Sequence, residues 1–142
     1  MGSFAAGPAP EKRYFRVIDI HCHILPGIDD GADDWEQSLQ MARIAAEDGI
    51  SGIICTPHWS PAFPENTRDA ILPLVDEFRT RLKREDIKID IYAGCEVVIS
   101  FSLPEMLESG ELLTINNGGT FALVETPYEI IPPNLDRLFW ML

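Results

Sequence analysis

Two of the three histidines in the chain stand one residue apart in the segment IDIHCHILPGIDDG, residues 18–31. The segment begins as an apolar, β-branched run and continues into a Pro-Gly turn, so it predicts a strand that ends at the histidines. Alternate side chains of a strand share a face, which places Asp19, His21 and His23 together. Two imidazoles in this position can bind one metal ion, yet such a pair also occurs as ordinary hydrogen-bonded histidines. Asp19 either supports a ligand or is a polar residue of the interior.

Potential metal ligands recur at the ends of the later predicted strands. They follow one another at roughly 30 to 40 residues, the length of one βα unit, and they are His58, Glu96 and Glu125. The carboxyl ends of parallel strands open on one face, so these groups would converge although they are distant in sequence. Imidazole and carboxylate ligands together suit manganese, iron or zinc better than calcium or magnesium. The recurrence favours a divalent-metal site that comprises these three residues with His21 and His23.

The loop after the first strand supplies further carboxylates. Pro26 and Gly27 form a turn dipeptide, and Gly31 can adopt a positive φ, so these three residues are expected to shape the loop. Asp29 and Asp30 are either solvated carboxylates or groups that orient a ligand or a water molecule. We predict a direct catalytic role for Asp30.

Strands and helices alternate strictly in the predicted secondary structure. The predicted strands are Val17–His21, Ser51–Thr56, Ile87–Ala93 and Thr120–Glu125. This alternation predicts parallel strands joined by helical crossovers, that is, an α/β fold. An open doubly wound sheet and part of a (β/α) barrel both fit, although no GxGxxG follows the first strand as the first option usually requires.

Apolar residues at helical spacing predict the helices between these strands. The first is capped by Asp33 or Asp34 and ended by Gly49. The second begins only near residues 70–71, because Pro73 interrupts regular hydrogen bonding. Two further helices are predicted: Leu103–Ser109, and a final one with Leu135, Leu138, Phe139 and Leu142 on one face. Residues 1–14, rich in Gly, Ala and Pro, are interpreted as a mobile leader, and residues 15–142 as one domain or a piece of one.

Charge and hydropathy exclude several function classes. The formal net charge is −12 over 142 residues, so binding to nucleic acid or to an anionic membrane surface is not expected. No apolar stretch approaches the roughly 20 residues of a membrane span, so direct membrane insertion is not expected. An anionic substrate would need local positive charge, which bound metal would supply.

The cysteines indicate a cellular compartment and do not indicate a catalytic role. Cys22, Cys55 and Cys95 lie far apart, which predicts neither a zinc ribbon nor a disulfide framework, and a cytoplasmic location is expected. Phosphatases with a thiolate nucleophile need an arginine six positions after the cysteine. The residues at those positions are Ile28, Pro61 and Phe101. Spacing therefore excludes that mechanism, and we interpret the cysteines as small buried residues beside the ligands.

Five motifs together resemble one family of enzymes. They are IDIHCHILPGIDDGA (18–32), TPH (56–58), AGCE (93–96), SGELLTIN (109–116) and ALVE (122–125). From about Val17 to its last residue the chain resembles the PHP family of metal-dependent phosphoesterases, and more narrowly the bacterial manganese-dependent protein-tyrosine phosphatases of capsule and exopolysaccharide operons. An HxH pair alone is weakly specific, whereas HILPGIDDGA followed by TPH at this distance is strongly specific.

The resemblance implies a fold, a site and a substrate. The fold would be the N-terminal four βα units of a distorted PHP-type (β/α) barrel, with up to three divalent ions, most often manganese, at its carboxyl face. His21 and His23 would bind one ion, Glu96 would bridge ions, and His58 and Glu125 would complete neighbouring coordination. The substrate would be phosphotyrosine on protein, the tyrosine-rich tail of a bacterial autokinase, in the control of capsular and exopolysaccharide synthesis.

The chain departs from the family pattern in its length. Family members continue with a further histidine beside an arginine and with a later Asp-x-His pair. We therefore expect a truncated barrel that, as this chain alone, is inactive, aggregates or self-associates. Two alternatives stay open: another PHP phosphoesterase, such as a histidinol-phosphate phosphatase, and a non-catalytic metal-binding remnant. A nuclease of the same family is disfavoured, because 11 Lys and Arg face 23 Asp and Glu.

Overall fold

A computed structural model of the chain describes residues 16–127 and 133–141, and the predicted leader at residues 1–14 lies outside them. The strands are β1 Val17–Cys22, β2 Ile50–Cys55, β3 His58–Trp59, β4 Asp90–Ala93, β5 Glu96–Val98 and β6 Leu123–Glu125. The helices are α1 Trp35–Glu47, α2 Arg68–Arg84, α3 Leu103–Glu108 and α4 Leu135–Phe139, with a 3₁₀ turn at Ile115–Asn117.

The strands form two three-stranded sheets, in the orders β1-β2-β4 and β3-β5-β6. Every strand pairing in the described part of the chain is parallel, which confirms the expected α/β fold with parallel strands. Thr56 and Pro57 alone separate β2 from β3, and Gly94 and Cys95 alone separate β4 from β5. Two chain segments therefore pass directly from one sheet into the other.

These two passages were not predicted from the sequence. Pro57 has no backbone N–H, so the ladder cannot run through it. At Gly94 an added Cβ would lie 2.8 Å from Ile54 Cγ2, so the chain crosses the neighbouring strand closely there. The strands β3 and β5 that follow have two and three residues, too few for a periodic pattern to appear. The predicted third and fourth strands are also shorter than expected: they begin at Asp90 and Leu123 rather than at Ile87 and Thr120.

The predicted cap of the first helix is confirmed, whereas the predicted start of the second helix is wrong. Asp34 caps α1 by accepting a hydrogen bond from the Gln37 backbone N–H at 2.9 Å. The expected late start of α2 is wrong, because the helix begins at Arg68 and includes Pro73. Backbone N–H groups of the first turn donate to the Thr67 carbonyl, so the turn forms before the proline is reached.

The core lies between the sheets and α2. This helix buries four apolar side chains on one stripe: Ile71, Val75, Phe78 and Leu82. They pack in one cluster with Ile53 and Ile91 of the first sheet and with Val97 of the second. Burial of a large apolar side chain contributes about 1.5–3 kcal/mol, so this stripe fixes the strands whose ends carry the candidate ligands.

Other apolar residues remain at the surface. In α4 Leu138 is buried while Phe139 is 55% exposed, so the predicted apolar face is only partly covered, and Leu142 lies outside the described residues. On β1, Ile18 and Ile20 are also exposed, although alternation had assigned them to a packing face. No helix within residues 16–127 and 133–141 is long and apolar enough to cross a membrane.

Candidate metal centre

The predicted ligands lie together in one open pocket of about 510 Å³. Seven residues line the pocket: His21, Cys22, His23, Asp30, His58, Glu96 and Glu125. All five predicted metal ligands and the predicted catalytic aspartate are therefore neighbours, although the first and last are more than 100 residues apart in the sequence. His21 lies at the end of β1 and His23 directly after it, and Asp30 lies in the loop between β1 and α1. The other three are the first residues of β3 and β5 and the last residue of β6.

Parallel register explains this convergence. His58 and Glu96 are direct partners across β3 and β5. Across the next pair, Glu96 is opposite Leu123, and Glu125 stands two residues further on. Because side chains alternate along a strand, residues two apart point to the same face, so Glu125 reaches back toward Glu96.

Glu96 is the hub of the cluster. Its Oε2 atom lies 3.0 Å from His21 Nε2, 3.2 Å from His23 Nε2 and 3.2 Å from His58 Nδ1. The Glu96 side chain is only 8% exposed, so three imidazoles surround a buried carboxylate. Burying a carboxylate is costly unless positive charge or hydrogen-bond donors accompany it.

His58 connects this hub to two more carboxylates. Its Nδ1 atom lies 3.4 Å from Glu125 Oε2, and its Nε2 atom lies 3.5 Å from Asp30 Oδ1. Asp30 stands at the mouth of the pocket with its side chain 71% exposed. One imidazole ring therefore faces both the interior and the mouth of the site.

The ligand atoms form three overlapping groups, each with its atoms within 4.8 Å of one another. The groups are His21, His23 and Glu96; His58, Glu96 and Glu125; and His23, Asp30 and His58. Each residue offers one nitrogen or carboxylate oxygen, which is the donor set expected for first-row divalent ions. Asp30 thus stands where it could serve as a ligand as well as in the predicted catalytic role.

The electrostatics of the pocket favour a cation. The pKa of His23 is raised above its ordinary value, chiefly by its hydrogen bond with Asp29, and further by the charges of Asp29, Glu96 and Asp30 against the opposing effect of burial. The two Nε2 atoms of His21 and His23 are 3.2 Å apart and face the same Glu96 oxygen. A metal ion between them would accept both nitrogen lone pairs and balance the carboxylate, so the residues fit a metal.

Asp29, Thr56 and Asn66 support the site. The sequence left open whether Asp29 is a solvated carboxylate or orients a ligand, and it gave no role in the site to Thr56 or Asn66. Thr56 Oγ1 accepts from the Cys22 backbone N–H at 2.8 Å, which ties the end of β1 to the end of β2. Asn66 donates from its side-chain amide to the carbonyls of Ile28 and His58, both at 2.8 Å. The Asp29 side chain is buried and forms a hydrogen bond with His23. Thr56 ends a predicted strand and Asn66 lies in a predicted loop, and only their buried positions distinguish them from their neighbours.

Two expectations about individual residues are corrected or narrowed by the structure. Gly31 does not adopt a positive φ, and it is needed because an added Cβ would lie 2.0 Å from the His23 carbonyl oxygen. Asp19 accepts a hydrogen bond from the His21 backbone N–H at 3.1 Å. Asp19 therefore contacts the backbone of the strand and not the imidazole ring of His21.

The cysteines agree with their interpretation as structural residues. All three are free, with Cys55 and Cys95 buried and Cys22 half-buried at the pocket wall. Burial is the main cause that raises the thiol pKa of Cys22 to about 11 and that of Cys95 to about 12. Thiols with such values are poor nucleophiles at neutral pH, because little thiolate is present.

Comparison with known proteins places the chain in a sequence family. Residues 17–132 match the family model described as capsular polysaccharide synthesis, CpsB/CapC. The chain is 38% identical over 126 residues to the tyrosine-protein phosphatase YwqE of Bacillus subtilis (strain 168), which covers 89% of this chain and 49% of that relative. It is 27% identical over 129 residues to the tyrosine-protein phosphatase CpsB of Streptococcus pneumoniae, covering 88% of this chain and 53% of the relative.

Solved structures give the same result. The chain superposes with a TM-score of 0.83 and 38% identity on a chain from crystal structures of YwqE from Bacillus subtilis and CpsB from Streptococcus pneumoniae, described as unique metal-dependent tyrosine phosphatases. The match covers 87% of this chain and 50% of that chain. The chain therefore spans about half the length of the curated relatives it matches.

Proposed function

Because this chain belongs to the CpsB/CapC family of capsular polysaccharide synthesis, we propose that it carries metal-binding machinery of a metal-dependent protein-tyrosine phosphatase. The observation that carries the proposal is the convergence of three imidazoles and two carboxylates on one pocket. The names of the relatives support phosphotyrosine as the group that is hydrolysed.

The proposed ligand set follows from the three overlapping groups of side chains. His21, His23 and Glu96 would hold one ion, and His58, Glu96 and Glu125 a second, so Glu96 would be shared. Manganese is the ion that we propose, with iron and zinc as alternatives compatible with the same donors. A divalent ion in this pocket would supply the Lewis acidity and positive charge that phosphoryl transfer requires.

We assign cation binding and proton transfer to different side chains of the pocket. The carboxylates of buried Glu96 and half-buried Glu125 would supply the negative charge that retains cations. The imidazole nitrogens lie around the same pocket and would bind the ions as neutral ligands. We assign the catalytic role to Asp30, whose exposed carboxylate at the pocket mouth would accept a proton from attacking water. His58 Nε2 lies 3.5 Å from Asp30 Oδ1 and would orient that carboxylate.

The proposed substrate is a protein that bears phosphotyrosine, namely the tyrosine-rich tail of a bacterial tyrosine autokinase in capsular or exopolysaccharide synthesis. With a net charge of −12, the chain would repel a phosphorylated tail over most of its surface. A metal-loaded pocket would then be the local exception that admits a phosphate. The parallel sheets, matched to half of a solved phosphatase chain, support the further proposal that these βα units belong to a distorted (β/α) barrel of PHP type.

Phosphate release tests the proposal directly. The 126 residues of this chain that match the Bacillus subtilis relative would replace their counterparts in that relative, and the hybrid would be assayed with a phosphotyrosine peptide and with histidinol phosphate. We expect hydrolysis of the peptide that requires added Mn²⁺, and a loss of at least about 100-fold in the His58→Ala hybrid. Glu47→Gln, an exposed change at the end of α1, is the control.

Each alternative function gives a different result in this assay. A hybrid that prefers histidinol phosphate would replace the proposed substrate with that of a related phosphoesterase. A folded hybrid that binds Mn²⁺ but hydrolyses neither compound would identify the segment as a metal-binding remnant. The unmodified chain, assayed alone, is expected to release phosphate far more slowly than the hybrid.

A further inference from the structure

Asp29 is a buried carboxylate that belongs to none of the three ligand groups of the described residues. Its side chain is 1% exposed, whereas that of its neighbour Asp30 is 71% exposed. Two adjacent aspartates in one loop therefore have opposite environments. A carboxylate is seldom buried so completely unless its oxygens accept several hydrogen bonds.

Three donors satisfy the Asp29 oxygens. Oδ2 accepts from His23 Nδ1 at 2.8 Å and from the His58 backbone N–H at 3.0 Å. Oδ1 accepts from the Gly31 backbone N–H at 3.0 Å. One carboxylate thus links the end of β1, the loop that follows it and the first residue of β3.

The bond to His23 determines which ring nitrogen carries the proton. An ionised carboxylate only accepts hydrogen bonds, so Nδ1 of His23 must be the N–H that donates to Asp29. In the neutral ring, Nε2 then keeps its lone pair. That nitrogen faces the cluster, 3.2 Å from Glu96 Oε2 and 3.2 Å from His21 Nε2.

The hydrogen bond to the His58 backbone determines how far His58 lies from His23. The same Oδ2 atom accepts from the backbone N–H of His58 and from the ring of His23, and the two rings are tilted by 45° with their centroids 4.4 Å apart. His23 and His58 share one ligand group with Asp30 and lie in separate groups with Glu96. The spacing of neighbouring ion positions would therefore depend on this one carboxylate.

We propose that Asp29 is a positioning residue, which fixes the Nδ1–H tautomer of His23 and the separation of His23 from His58 so that both present lone pairs to metal. The proposal rests on the metal site of the proposed function and adds to it a residue that touches neither ion nor substrate. Carboxylate partners of this kind typically change metal affinity by about 10- to 100-fold when they are lost.

Asp29→Asn separates positioning from simple structural support. The amide has the same shape, but an NH₂ group at the Oδ2 position donates to His23 Nδ1, which favours the tautomer with the proton on Nε2, and no longer accepts from the His58 backbone N–H. We expect Mn²⁺ affinity, measured by calorimetry on the chain, to fall by about 10- to 100-fold. The urea midpoint should remain close to that of the exposed-loop control Asp33→Asn, which should keep full Mn²⁺ affinity.

The tautomer is read by ¹⁵N NMR of the metal-free chain at alkaline pH, where the imidazoles are neutral. The unmodified chain should show His23 protonated on Nδ1, and Asp29→Asn should shift the proton to Nε2. A native His23 protonated on Nε2 would overturn the proposal even if the variant failed to fold. Unchanged Mn²⁺ affinity in folded Asp29→Asn would overturn it equally.

These results are independent of the phosphatase assay. If Asp29→Asn weakens Mn²⁺ binding while the hybrid hydrolyses no phosphotyrosine, the positioning role stands and the proposed substrate fails. If the hybrid is active and folded Asp29→Asn binds Mn²⁺ normally, the proposed function stands and the positioning role fails.

Discussion

Glu96 holds the site together at the scale of single residues. Its carboxylate is nearly buried and meets three imidazole nitrogens within 3.2 Å. The pKa of His23 is raised chiefly by its hydrogen bond with Asp29, and the charge of Glu96 adds to that effect. A divalent ion would bring more positive charge to the buried carboxylate than an imidazole can. The buried position of Glu96 therefore accounts for the fitness of the pocket for a divalent cation.

The thiols give a first testable prediction. Because burial raises the pKa of Cys95 to about 12 and that of Cys22 to about 11, both stay protonated at neutral pH. We expect iodoacetamide to alkylate the native chain slowly at pH 7.5 and to modify all three cysteines rapidly in guanidinium chloride, as followed by intact mass. Rapid alkylation of one cysteine in the folded chain would show a reactive thiolate and would reopen thiol chemistry at this site.

Residue patterns predicted the candidate metal ligands but could not decide which aspartate of the first loop supports them. His21, His23 and Glu125 were identifiable because each ends a predicted strand, and strand ends have a common location in parallel folds. Asp29 and Asp30 follow one another in the same loop, and the letters do not distinguish the buried carboxylate from the exposed one. That distinction depends on the backbone N–H of His58, which is distant in sequence and comes close only in the fold.

At the scale of elements, the loop between β1 and α1 is built around a close approach. The backbone of Gly31 passes so near the end of β1 that an added Cβ would lie 2.0 Å from His23 O and 2.5 Å from His23 Cβ. The loop also carries Asp29, so any shift of Gly31 moves the carboxylate that holds His23. Loop and metal site are therefore coupled through one glycine.

Gly31→Ala should consequently damage both stability and metal binding. Overpacking at such a contact costs about 1–3 kcal/mol, and we expect a loss of that order in urea unfolding together with weaker Mn²⁺ binding. Gly118→Ala is the matched control, because Gly118 has a φ of −87° and an added Cβ there would meet its nearest atom, Ile115 O, at 3.4 Å. Equal stability and equal Mn²⁺ affinity for the two variants would contradict this account of the loop.

Element boundaries were predictable where local chemistry sets them. The Asp34 cap and the end of α1 near Gly49 follow from side-chain capping and glycine freedom. The start of α2 was not predictable in this way. Pro73 in the second turn suggested a late start, but the first turn forms before it through hydrogen bonds to the Thr67 carbonyl. The brief strands β3 and β5 exist only through pairing with neighbours, which tertiary structure alone supplies.

At the scale of the whole molecule, the surface combines high negative charge with exposed apolar side chains. Phe121, Phe139 and Met141 line one surface pocket and are 71%, 55% and 51% exposed. Trp140, between Phe139 and Met141 in the sequence, is 91% exposed, and we call these four residues the C-terminal apolar patch. Val17, Ile18 and Ile20 of β1 form a second exposed apolar stretch. Apolar groups in such numbers favour association, and the net charge of −12 opposes it by repulsion.

We therefore expect self-association that increases with protein concentration and with salt, because salt screens the repulsion. Sedimentation velocity at low and high salt measures it. Replacing Phe121 and Trp140 together by serine should reduce the association, whereas Ile44→Ser, a single exposed change on α1, should not. A chain that stays monomeric in high salt at high concentration would show that the patch does not drive association.

The global fold was largely predictable, because strict alternation of strands and helices leaves few topologies with parallel strands. What alternation could not show is that the strands divide into two sheets at Pro57 and Gly94. That division places His58 and Glu96 on the first residues of new strands, directly opposite one another. The candidate metal centre therefore depends on a feature of tertiary structure that lies between the predicted elements.

Mn²⁺ titration of the chain and of Glu96→Gln is the most direct test of the central claim, that the described pocket is a metal centre organised by Glu96. The substitution keeps the size of the side chain but removes the charge shared by two of the three ligand groups. We predict saturable Mn²⁺ binding by the chain and by the control Glu47→Gln, and affinity at least about 100-fold weaker in Glu96→Gln. Equal Mn²⁺ affinity in folded Glu96→Gln and Glu47→Gln would contradict the account.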